Sequence, residues 1–574
     1  MLCIYIIEET DNKVYPYSLY FLRELLPFCR KIIVLISEKT PEEDKQSIEE
    51  LGCQCLRRPD SEIGVESWRY GLDFIDYNNI KKYSSVILCN NSFFGPFSDL
   101  NSVFLKMEQE RCDFWGITEI KTESLTYLQN YFLCFKRSLT SSSLFRSFCR
   151  KVLSGKAGKK EEIEKKITDY FIRAGFSYKS FISYSQVSKA GTPDSTQFSP
   201  VDLLKLGAPF VKKELFINDS NKQFLTGTLE YPNAAIDFIR TKTNYPFQLF
   251  YKYIVKKVPA SRLKTIFLTD FVTSGYISKE RKSKSKVALI LHVFYPELLG
   301  NCKKYVLSMR PEDKVVIVSS SSTLLRSYEN ELQTKFPNLE IRLQPNRGRN
   351  EAAYFLTCKD ILENYDVVCL AHDKKLPHLP QVEGEKAFVH CFENCLSSIS
   401  HVDQVIKLFD SIEYLGLLCP PTPQVAAWRD LSSNPYGLNL KQAKELIRGV
   451  NKDFPFDVNP PFPVGSVFWV RKGALNNLLN LTLSDFPEEP LPSDGTFLHA
   501  LERLYPAFVV MNGYVPGWIF SDKGFKVYTE EVSINLRRLA SASLVFKNFG
   551  AIGLIKKILK KNLIHYNLIK KYLQ

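Results

Sequence analysis

The sequence predicts an α/β protein made of two tandem units of the same design. Apolar runs rich in β-branched residues alternate with segments of helix length along most of the chain, which is typical of parallel strands covered on both faces. The same order of runs occurs twice, which indicates an internal repeat. A length of 574 residues allows about three or four structural units. A content of 45% hydrophobic and 24% charged residues excludes disordered and collagen-like classes.

The repeat consists of six predicted strands and a following group of acidic residues in each copy. The first copy has them at 2–7, 31–37, 55–59, 86–92, 114–118, 131–137 and 161–169, and the second at 288–293, 314–320, 341–345, 367–373, 414–418, 467–472 and 488–494. These positions place the two units at 1–185 and 286–530. Residues 186–285 are rich in Lys, Pro and Ser but also contain aromatic residues, and we expect an ordered connector with helices rather than a flexible linker.

A basic tail, 531–574, ends the sequence. After Glu531 there is no acidic residue but nine Lys or Arg, out of a formal net charge of +14. Apolar residues recur every three or four positions from Phe549 to Leu573, which predicts an amphipathic helix. Such a helix suits an anionic membrane surface, while the alternative is a terminal helix that packs its apolar stripe on the protein. We expect no nucleic-acid partner, because no known binding motif accompanies the charge.

The start of the chain and its cysteines indicate a cytosolic protein. The first apolar run has no basic segment before it and is followed by Glu8 and Glu9, so we expect no secretory signal. No apolar run approaches the ~20 residues that span a bilayer. The fourteen cysteines include no CxxC pair, and Cys53 with Cys55 alone is too little for a zinc site. Reduced, buried thiols are the simplest interpretation.

The residues that follow the strands of the second unit are candidates for a binding site, because ligands of parallel sheets bind beyond the carboxyl ends of the strands. These segments are His292 after the first strand, Asn346-Arg-Gly-Arg-Asn350 after the third and His372-Asp-Lys-Lys375 after the fourth. Gly348 permits a tight turn into a helix, and Arg347 and Arg349 supply charges suited to phosphate oxygens. The pattern predicts an anion site, most naturally for a diphosphate, although His292 is better explained as a structural residue.

Several strings resemble the rhamnan synthesis protein F family of bacterial polysaccharide assembly. They are Asn91-Ser-Phe-Phe-Gly-Pro96, Trp115-Gly-Ile-Thr118, Leu128-Gln-Asn-Tyr-Phe-Leu133, Asn346-Arg-Gly-Arg349, Gly465-Ser-Val-Phe-Trp469 and 494–503, and they span both units. The resemblance implies two tandem GT-A-like (Rossmann-like) glycosyltransferase units. It also implies a cytoplasmic enzyme that transfers L-rhamnose from dTDP-L-rhamnose to a lipid-linked polysaccharide, with the basic tail holding it at the inner face of the cell membrane.

On this resemblance, particular residues receive roles in the reaction. Asp494 is the candidate catalytic base, because transfer with inversion needs a carboxylate that takes the proton of the acceptor hydroxyl. The alternative for Asp494 is that it caps the helix that follows. The candidate donor-binding residues are Asn346, Arg347, Arg349, His372, Asp373, Lys374 and Arg503.

The metal requirement is left open by the sequence. Enzymes of the GT-A type usually carry Asp-x-Asp after the fourth strand to hold a divalent ion, whereas this chain has Asn91 between Asn90 and Ser92 in the first unit and Asp373 between His372 and Lys374 in the second. Either Asp373 recruits Mg²⁺ or Mn²⁺ with help from His372 or His499, or Lys374 and the arginines replace the metal, which we favour. The first unit, without that carboxylate, is expected to be weak or inactive.

The candidate acceptor-binding residues are mostly in the first unit, because aromatic rings there could stack on sugar faces. They are Asn91, Trp115, Thr118, Gln129 and, in the second unit, Trp469. The alternative is that Trp115 and Tyr131 belong to the core. Two other functions remain open: a glycan-binding or scaffold protein, favoured by the missing Asp-x-Asp, and a transferase for another nucleotide sugar.

Overall fold

The computed structural model describes residues 1–59, 64, 66–123, 125–153, 160–187, 194–217, 232–273, 281–375, 381–424, 431, 434–492, 494–538 and 540. The chain divides into two compact units, Met1–Lys257 and Val258–Gln574. Residues 186–285, which the sequence predicts as a connector, are divided between these units. Of the basic tail, residues 531–538 are helical, and the predicted amphipathic stretch from Phe549 onward lies outside the described residues.

Unit 1 is built on an eight-stranded sheet. Its strand order is β3-β2-β1-β4-β8-β6-β7, and β9 pairs with β6. Strands β1, β2, β3 and β4 are parallel, whereas β8 runs antiparallel to both β4 and β6. The strands of unit 1 are β1 Leu2–Ile6, β2 Lys31–Ser37, β3 Gln54–Arg58, β4 Ser85–Asn90, β5 Phe93–Phe94, β6 Phe114–Lys121, β7 Thr126–Leu128, β8 Phe132–Lys136, β9 Tyr178–Ile182 and β10 Val211–Lys212.

Helices cover both faces of this sheet, which explains the nearly continuous apolar sequence of its strands. Along β1, Cys3 and Tyr5 belong to one buried cluster, and Leu2 and Ile4 to the cluster on the other face. The described helical segments of unit 1 are Pro16–Leu25, Leu26–Phe28, Glu42–Glu49, Glu66–Ile75, Tyr77–Ile80, Leu100–Gln109, Arg137–Thr140, Ser143–Lys151, Lys160–Arg173, Tyr184–Val187, Ser195–Phe198, Pro200–Lys205, Glu214–Ile217, Pro232–Lys242 and Phe247–Lys257.

Unit 2 also has an eight-stranded sheet, with the order β11-β18-β16-β17-β15-β12-β13-β14. Its strand β17 runs antiparallel to β15 and β16, while β12 is parallel to β13 and β15. The strands are β11 Asp270–Val272, β12 Val287–His292, β13 Lys314–Ser319, β14 Leu339–Leu343, β15 Val367–His372, β16 Leu415–Cys419, β17 Phe468–Arg471 and β18 Val515–Phe520.

The helices of unit 2 likewise pack on both faces of the sheet, and within the described part of the chain none is long and apolar enough to cross a membrane. The described helical segments are Ala260–Phe267, Pro296–Leu298, Leu299–Val306, Ser322–Leu332, Arg349–Ala352, Ala353–Thr357, Lys359–Asn364, Gln381–Leu396, Ile399–Ser411, Gly437–Asn439, Leu440–Val450, Asn476–Leu478, Leu483–Asp485, Phe497–Met511 and 522–538.

The two sheets confirm the predicted repeat and the α/β class. The path β3-β2-β1-β4-β8-β6-β9 of unit 1 corresponds to β14-β13-β12-β15-β17-β16-β18 of unit 2, with the same parallel and antiparallel neighbours. A matching hydrogen bond fixes the alignment. The N–H of Asn91 donates to the carbonyl of Ile6, and the N–H of Asp373 donates to the carbonyl of His292, both at 3.0 Å. Asn91 is therefore the counterpart of Asp373.

Two details of the predicted repeat are wrong. The strands are not all parallel, since β8 and β17 run antiparallel to their neighbours. The acidic residues at 161–169 and 488–494 do not correspond, because Asp169 lies inside the helix Lys160–Arg173 whereas Asp494 precedes the helix Phe497–Met511. The equivalent acids are Glu164 and Glu502, which accept the N–H groups of Asn130 and Gly465 at 3.3 and 2.7 Å.

All fourteen cysteines are free thiols, and all but Cys29 are buried. They lie in strands and helices of both cores, where burial raises the pKa of Cys134 and of Cys391 to about 12. The prediction of reduced, buried thiols is confirmed.

Candidate functional site

The candidate site of unit 2 lies at the carboxyl ends of β12 and β15. These neighbouring strands form the switch point of the sheet, because the chain continues from β12 to β13 on one side while β15 lies on the other. Ligands of open α/β sheets bind in the crevice at such a point. The segments that follow the two strands begin at Val293 and Asp373.

Asp373 is the central polar side chain at this switch point. Its Oδ2 accepts the backbone N–H groups of Phe294 and Tyr295 at 2.8 and 2.6 Å. The residue is only 3% exposed, and its Oδ1 is buried without a hydrogen-bond partner among the described residues. Burial raises the pKa of Asp373 to about 6, although the two N–H groups act to lower it. A buried carboxylate oxygen without a partner is costly, and such an atom marks the position of a ligand or a proton.

His372 connects Asp373 to the turn before β17. Its Nδ1 lies 2.9 Å from the carbonyl of Asp373, and its Nε2 lies 2.8 Å from the carbonyl of Gly465. Burial, followed by the nearby charge of Lys374, lowers the pKa of His372 to about 3. His292 is the register partner of His372 across β12 and β15 and is itself buried, with a pKa lowered to about 4 by that burial. His292 is therefore a neutral core residue, the structural role considered above.

Gly348 begins the helix after β14, as the sequence predicts. It has a φ of +75°, and a Cβ at this position would lie 2.8 Å from both the Cβ of Ala352 and the ring of Phe486. Only glycine fits such a position. Asn346, two residues earlier, is exposed.

Arg347 and Arg349 do not present free guanidinium groups to an anion, which differs from the predicted clamp. Arg347 donates from Nε to the carbonyl of Phe486 at 2.8 Å and from Nη1 to Glu488 at 3.2 Å. Arg349 donates from Nε to Glu489 at 2.7 Å. Both arginines thus hold the loop after β14 against residues 486–491. The pattern of strand ends could not reveal this, because these glutamates lie about 140 residues away in sequence.

Asp494 lies 40% exposed in a second group of polar side chains. Its Oδ1 accepts a hydrogen bond from Nδ2 of buried Asn439 at 2.8 Å, and Nη2 of Arg503 lies 3.7 Å from the same oxygen. Partial burial acts to raise the pKa of Asp494, but the hydrogen bonds from Asn439 and Gly495 bring it below its ordinary value. Thr496, not Asp494, is the N-cap residue of the following helix. The arrangement gives an accessible carboxylate that stays ionised at neutral pH.

Arg503 is buried and holds its neighbours in place. It donates to the carbonyls of Pro435 and His499 at 3.0 and 2.6 Å, and its guanidinium lies 5.4 Å from the centre of the Phe462 ring. Its Nη2 also lies 3.7 Å from Oδ1 of Asp494. Its contact with a diphosphate stays a prediction.

A series of contacts joins the two groups into one site. Nη1 of Arg503 lies 3.6 Å from Oε2 of Glu502, whose Oε1 accepts the N–H of Gly465. The carbonyl of Gly465 faces His372, the neighbour of Asp373. Burial raises the pKa of Tyr295 and lowers the pKa of His499, and the charge of Arg349 acts on both groups. Arg503, Glu502, Gly465 and His372 therefore form a continuous series of contacts between Asp494 and the residue next to Asp373.

Two further acidic residues, Glu502 and Glu351, lie near these groups and were not predicted as site residues from the sequence. Glu351 is buried and accepts hydrogen bonds from Nδ2 of Asn350 at 2.9 Å and from the hydroxyl of Ser466 at 3.4 Å. Burial, followed by the charge of Glu502, raises the pKa of Glu351 to about 8. The available signal was an acidic residue directly after the motif at 346–350 and another within the motif at 494–503.

The donor set around Asp373 does not fit a divalent ion held by protein side chains. Within the ranges described, no three His, Cys, Asp or Glu side chains cluster in a way suited to a metal. His499, the second predicted ligand, engages the hydroxyl of Thr496 through Nδ1 at 2.7 Å. Both nitrogens of His372 already face carbonyl oxygens.

The predicted acceptor-binding residues are all buried. The Trp115 ring packs between Phe104 and Phe132, and Nε1 of Trp469 donates to the carbonyl of Cys395 at 2.9 Å. With exposures of 2% and 0%, these rings have no free face for a sugar, as the core alternative for Trp115 supposed. Strand alternation alone does not distinguish a ring under a helix from one that lines a groove.

The polar residues predicted to bind the acceptor, Asn91, Thr118 and Gln129, are hydrogen-bonded inside unit 1. The Thr118 hydroxyl donates to Oε1 of Gln129 at 2.5 Å, and Nε2 of Gln129 lies 3.3 Å from both carboxylate oxygens of Asp194. Asn91 accepts the N–H of Glu8 at 3.0 Å. None of the three is more than 3% exposed, so they serve the fold of unit 1 in this structure.

A cavity of about 550 Å³ opens elsewhere in unit 2, where β12 begins rather than where it ends. Arg281 in its lining is already bound to Asp313 and Asp403, at 2.6 and 2.7 Å. Because the cavity lies at the end of β12 opposite to the carboxyl end, where ligands of α/β sheets bind, the strand ends remain the better candidate. The cavity is lined by Arg281, Ser283, Ser285, Lys286, Val287, Glu312, Asp313, Asn364 and Tyr365.

Comparison with known families gives an independent result. The sequence pattern of the family described as rhamnan synthesis protein F matches residues 32–514. The chain belongs to the rhamnan synthesis protein F family.

Other similar proteins add little to the family assignment. The protein named WxcX of Xanthomonas campestris pv. campestris, found in two strains, is 25% identical over 257 residues, which is 44% of this chain. The match spans 34% of the length of these curated relatives, so their whole length is not represented in this member of the rhamnan synthesis family.

Solved structures with a likeness to the chain include one named a glycosyltransferase and one named a putative nucleotide-diphospho-sugar transferase. The glycosyltransferase GlyE of Streptococcus pneumoniae TIGR4 has a TM-score of 0.23 and 13% identity, covering 67% of this chain and 88% of that one. A putative nucleotide-diphospho-sugar transferase of Desulfovibrio desulfuricans G20 has a TM-score of 0.22 and 12% identity, covering 32% and 79%. TM-scores of this size carry no argument about the rhamnan synthesis chain.

Proposed function

We propose that this protein is a rhamnosyltransferase that moves L-rhamnose from dTDP-L-rhamnose to a lipid-linked surface polysaccharide at the cytoplasmic face of the membrane. The observation that carries the proposal is the carboxyl group of Asp373 at the switch point of unit 2. One of its oxygens is held by two backbone N–H groups, and the other is buried without a partner among the described residues. Family membership supplies the class of reaction.

In the proposed reaction, an acceptor hydroxyl oxygen attacks the anomeric carbon of the donor sugar. The bond between that carbon and the diphosphate oxygen breaks, and dTDP leaves with the electron pair. The proton of the attacking hydroxyl passes to the carboxylate of Asp494, which is ionised and 40% exposed. Asn439 and Arg503 fix the orientation of that carboxylate.

The negative charge of the departing diphosphate needs a positive counterpart. Lys374 directly follows Asp373, and its Nζ lies 3.4 Å from the position that a Cβ at Gly465 would take. Its ammonium group is thus close to the turn that joins the two polar groups of the site. In the proposed mechanism Lys374 supplies this charge, and Arg349 adds to it by exchanging Glu489 for a phosphate oxygen when the donor binds.

A non-catalytic, glycan-binding role is the second candidate. It is favoured by the ion pairs of Arg347 with Glu488 and of Arg349 with Glu489, which neutralise the charges expected to bind a diphosphate. A donor that cannot displace these glutamates would leave unit 2 without an anion clamp. A transferase for a different nucleotide sugar would share the geometry and differ only in its donor.

The deciding experiment measures transfer from dTDP-L-rhamnose and from a panel of other nucleotide sugars to an extracted lipid-linked acceptor. We expect turnover with dTDP-L-rhamnose, and a loss of about 10²-fold or more in kcat for Asp494→Asn with little change in donor affinity. Asp485→Asn is a matched control, because Asp485 lies in the nearby segment Leu483–Asp485 and is bonded only to Thr482 in the described contacts. Unchanged turnover in Asp494→Asn would remove Asp494 from the mechanism. Absence of turnover with every donor would favour the binding role, and turnover with a different donor alone would correct the sugar.

A further inference from the structure

The strand-end crevice of unit 1 is filled by side chains of unit 1 itself. We propose that Lys213 acts there as an internal ligand that closes the crevice, so that unit 1 binds no nucleotide sugar and each chain holds a single donor. The proposal rests on the function proposed for unit 2 in one respect, namely that the donor binds beside Asp373.

The two crevices are equivalent at the level of single hydrogen bonds. Asn91 and Asp373 donate their N–H groups to Ile6 and His292 in corresponding strands, at 3.0 Å in both units. The side-chain oxygen of Asn91 accepts the N–H of Glu8 at 3.0 Å. An oxygen of Asp373 accepts the corresponding N–H, that of Phe294, at 2.8 Å. A ligand site of unit 1, if present, would therefore lie beside Asn91.

The two crevices differ at the second polar atom of the Asn91 and Asp373 side chains. Oδ1 of Asp373 has no partner among the described residues. Nδ2 of Asn91, in contrast, donates to Oε1 of Glu9 at 2.9 Å and lies 3.1 Å from the hydroxyl of Tyr17. The polar atom that has no partner in unit 2 therefore has partners in unit 1. Position 91 lacks a carboxylate, and Glu9 supplies one beside it.

Two residues from later in the chain complete the closure. Nζ of Lys213 lies 2.8 Å from Oε1 of Glu9 and 2.7 Å from the hydroxyl of Tyr17. The hydroxyl of Tyr253 donates to Oε2 of Glu9 at 2.8 Å. Glu9 is 5% exposed and Lys213 is 10% exposed by their side chains. Both carboxylate oxygens of Glu9 are therefore satisfied from within unit 1.

The backbone holds these groups in position. Lys213 follows β10, which pairs with β5 just beyond β4, and its N–H donates to the carbonyl of Ser92 at 2.9 Å. The ring of Tyr253, from the helix Phe247–Lys257, makes an edge contact with the ring of Tyr17 at 5.0 Å between centroids. Lys213 is thus held at the strand ends by a main-chain hydrogen bond, and Tyr253 is held there by ring packing.

Charge as well as space opposes an anionic ligand here. A diphosphate would have to displace the ammonium group of Lys213 from Glu9, and the carboxylate of Glu9 would then keep only the more distant ammonium group of Lys257, at 3.8 Å. Breaking a buried ion pair by removing one partner is strongly unfavourable. The same argument explains why Asn91 needs no carboxylate, because the cation beside it is already paired.

The test is the number of dTDP molecules bound by the full-length chain, measured by calorimetry. We expect one per chain in the wild type, a loss of at least tenfold in affinity for Asp373→Asn, and one per chain with affinity unchanged within twofold for the double variant Glu9→Gln/Lys213→Met. That double variant removes both charges together and so avoids a buried unpaired charge. Two molecules per chain, or a full-strength site left in Asp373→Asn, would overturn the proposal.

A second measurement does not depend on nucleotide binding. Acylation of lysines by a small amine reagent, followed by mass spectrometry, should label Lys213 at least tenfold more slowly than Lys205, whose side chain is 63% exposed. Equal labelling rates would contradict the closed crevice. If the wild type bound no dTDP while Lys213 remained protected, the donor site of unit 2 would be refuted and the closure of unit 1 supported.

Discussion

Asn91 and Asp373 occupy the same position in the two sheets, yet their environments are opposite. Each accepts the N–H of the second residue after the adjacent strand, at 3.0 and 2.8 Å, and Asp373 also accepts the N–H of Tyr295. The remaining atom of Asn91 is bound inside unit 1, whereas the remaining oxygen of Asp373 is buried without a partner among the residues described. An asparagine is therefore structurally compatible with this position, and the carboxylate of Asp373 is a feature that folding does not require.

This relationship predicts the pH dependence of stability for Asp373→Asn. Because burial raises the pKa of Asp373 to about 6 in the folded protein, the wild type is stabilised at low pH and loses that contribution as pH rises from about 4 through 6. The variant lacks this titration. Its stability relative to the wild type should improve by about 2 kcal/mol between pH 4 and pH 7. Urea unfolding at several pH values measures the difference, and a constant offset between the two proteins would contradict the elevated pKa.

Asn439→Ala should affect the chemistry through Asp494. Loss of the amide removes a hydrogen bond that holds the pKa of Asp494 below its ordinary value. The acid limb of the profile of kcat/KM against pH should therefore move to higher pH, and kcat should fall about tenfold. Donor affinity should stay within twofold, because Asn439 does not contact the Asp373 group in the described structure.

Asn512→Ala is the matched control for that prediction. The amide of Asn512 also donates to two oxygens, the carbonyls of Ala474 and Phe508 at 3.2 and 2.9 Å. We expect Asn512→Ala to lose about as much stability as Asn439→Ala, without a shift in the profile of kcat/KM against pH. If both variants moved the profile equally, the effect would come from general loosening of unit 2 rather than from Asp494.

The fold was largely predictable from sequence, and the site only in part. The spacing and order of the apolar runs were sufficient to predict the repeat, because both copies must bury the same sheet faces. The orientation of β8 and β17 could not be predicted, since an antiparallel strand buried on both faces has the same composition as a parallel one. Asp373 was singled out because it follows a strand, and Asp494 because the family resemblance implies a catalytic carboxylate there. The ion pairs of Arg347 and Arg349 were missed, because pairing across about 140 residues leaves no local pattern.

Gly348→Ala should destabilise unit 2 and weaken donor binding. The added Cβ would approach Ala352 and the ring of Phe486 to 2.8 Å, at a φ of +75° that alanine rarely adopts. We expect a loss of about 2–4 kcal/mol in the free energy of unfolding. Donor affinity should fall at least tenfold, because the turn carries Arg347 and Arg349.

Gly449→Ala is the control, and it should change the free energy of unfolding in the opposite direction. Gly449 lies in the helix Leu440–Val450, and a Cβ there would meet no atom within 4 Å. Alanine is favoured over glycine inside a helix by about 0.5–1 kcal/mol, so this variant should be slightly more stable and bind the donor normally. Urea unfolding with parallel dTDP titration measures both. Equal behaviour of the two alanines would show that the turn at Gly348 is less constrained than its geometry indicates.

Truncation after residue 540 should release the protein from anionic vesicles. The segment removed contains seven lysines and no acidic residue, and each basic residue near anionic headgroups contributes about 1 kcal/mol to binding. Sedimentation with vesicles of phosphatidylglycerol and phosphatidylcholine measures the bound fraction, which should fall at least tenfold for the truncated chain and weaken for the full chain at high salt. The dTDP affinity should not change, because the residues around Asp373 are retained. Vesicles of phosphatidylcholine alone provide the control for charge. If the truncated chain binds anionic vesicles as well as the full chain does, the apolar stripe from Phe549 to Leu573 packs on the protein, and the membrane surface is contacted elsewhere or not at all.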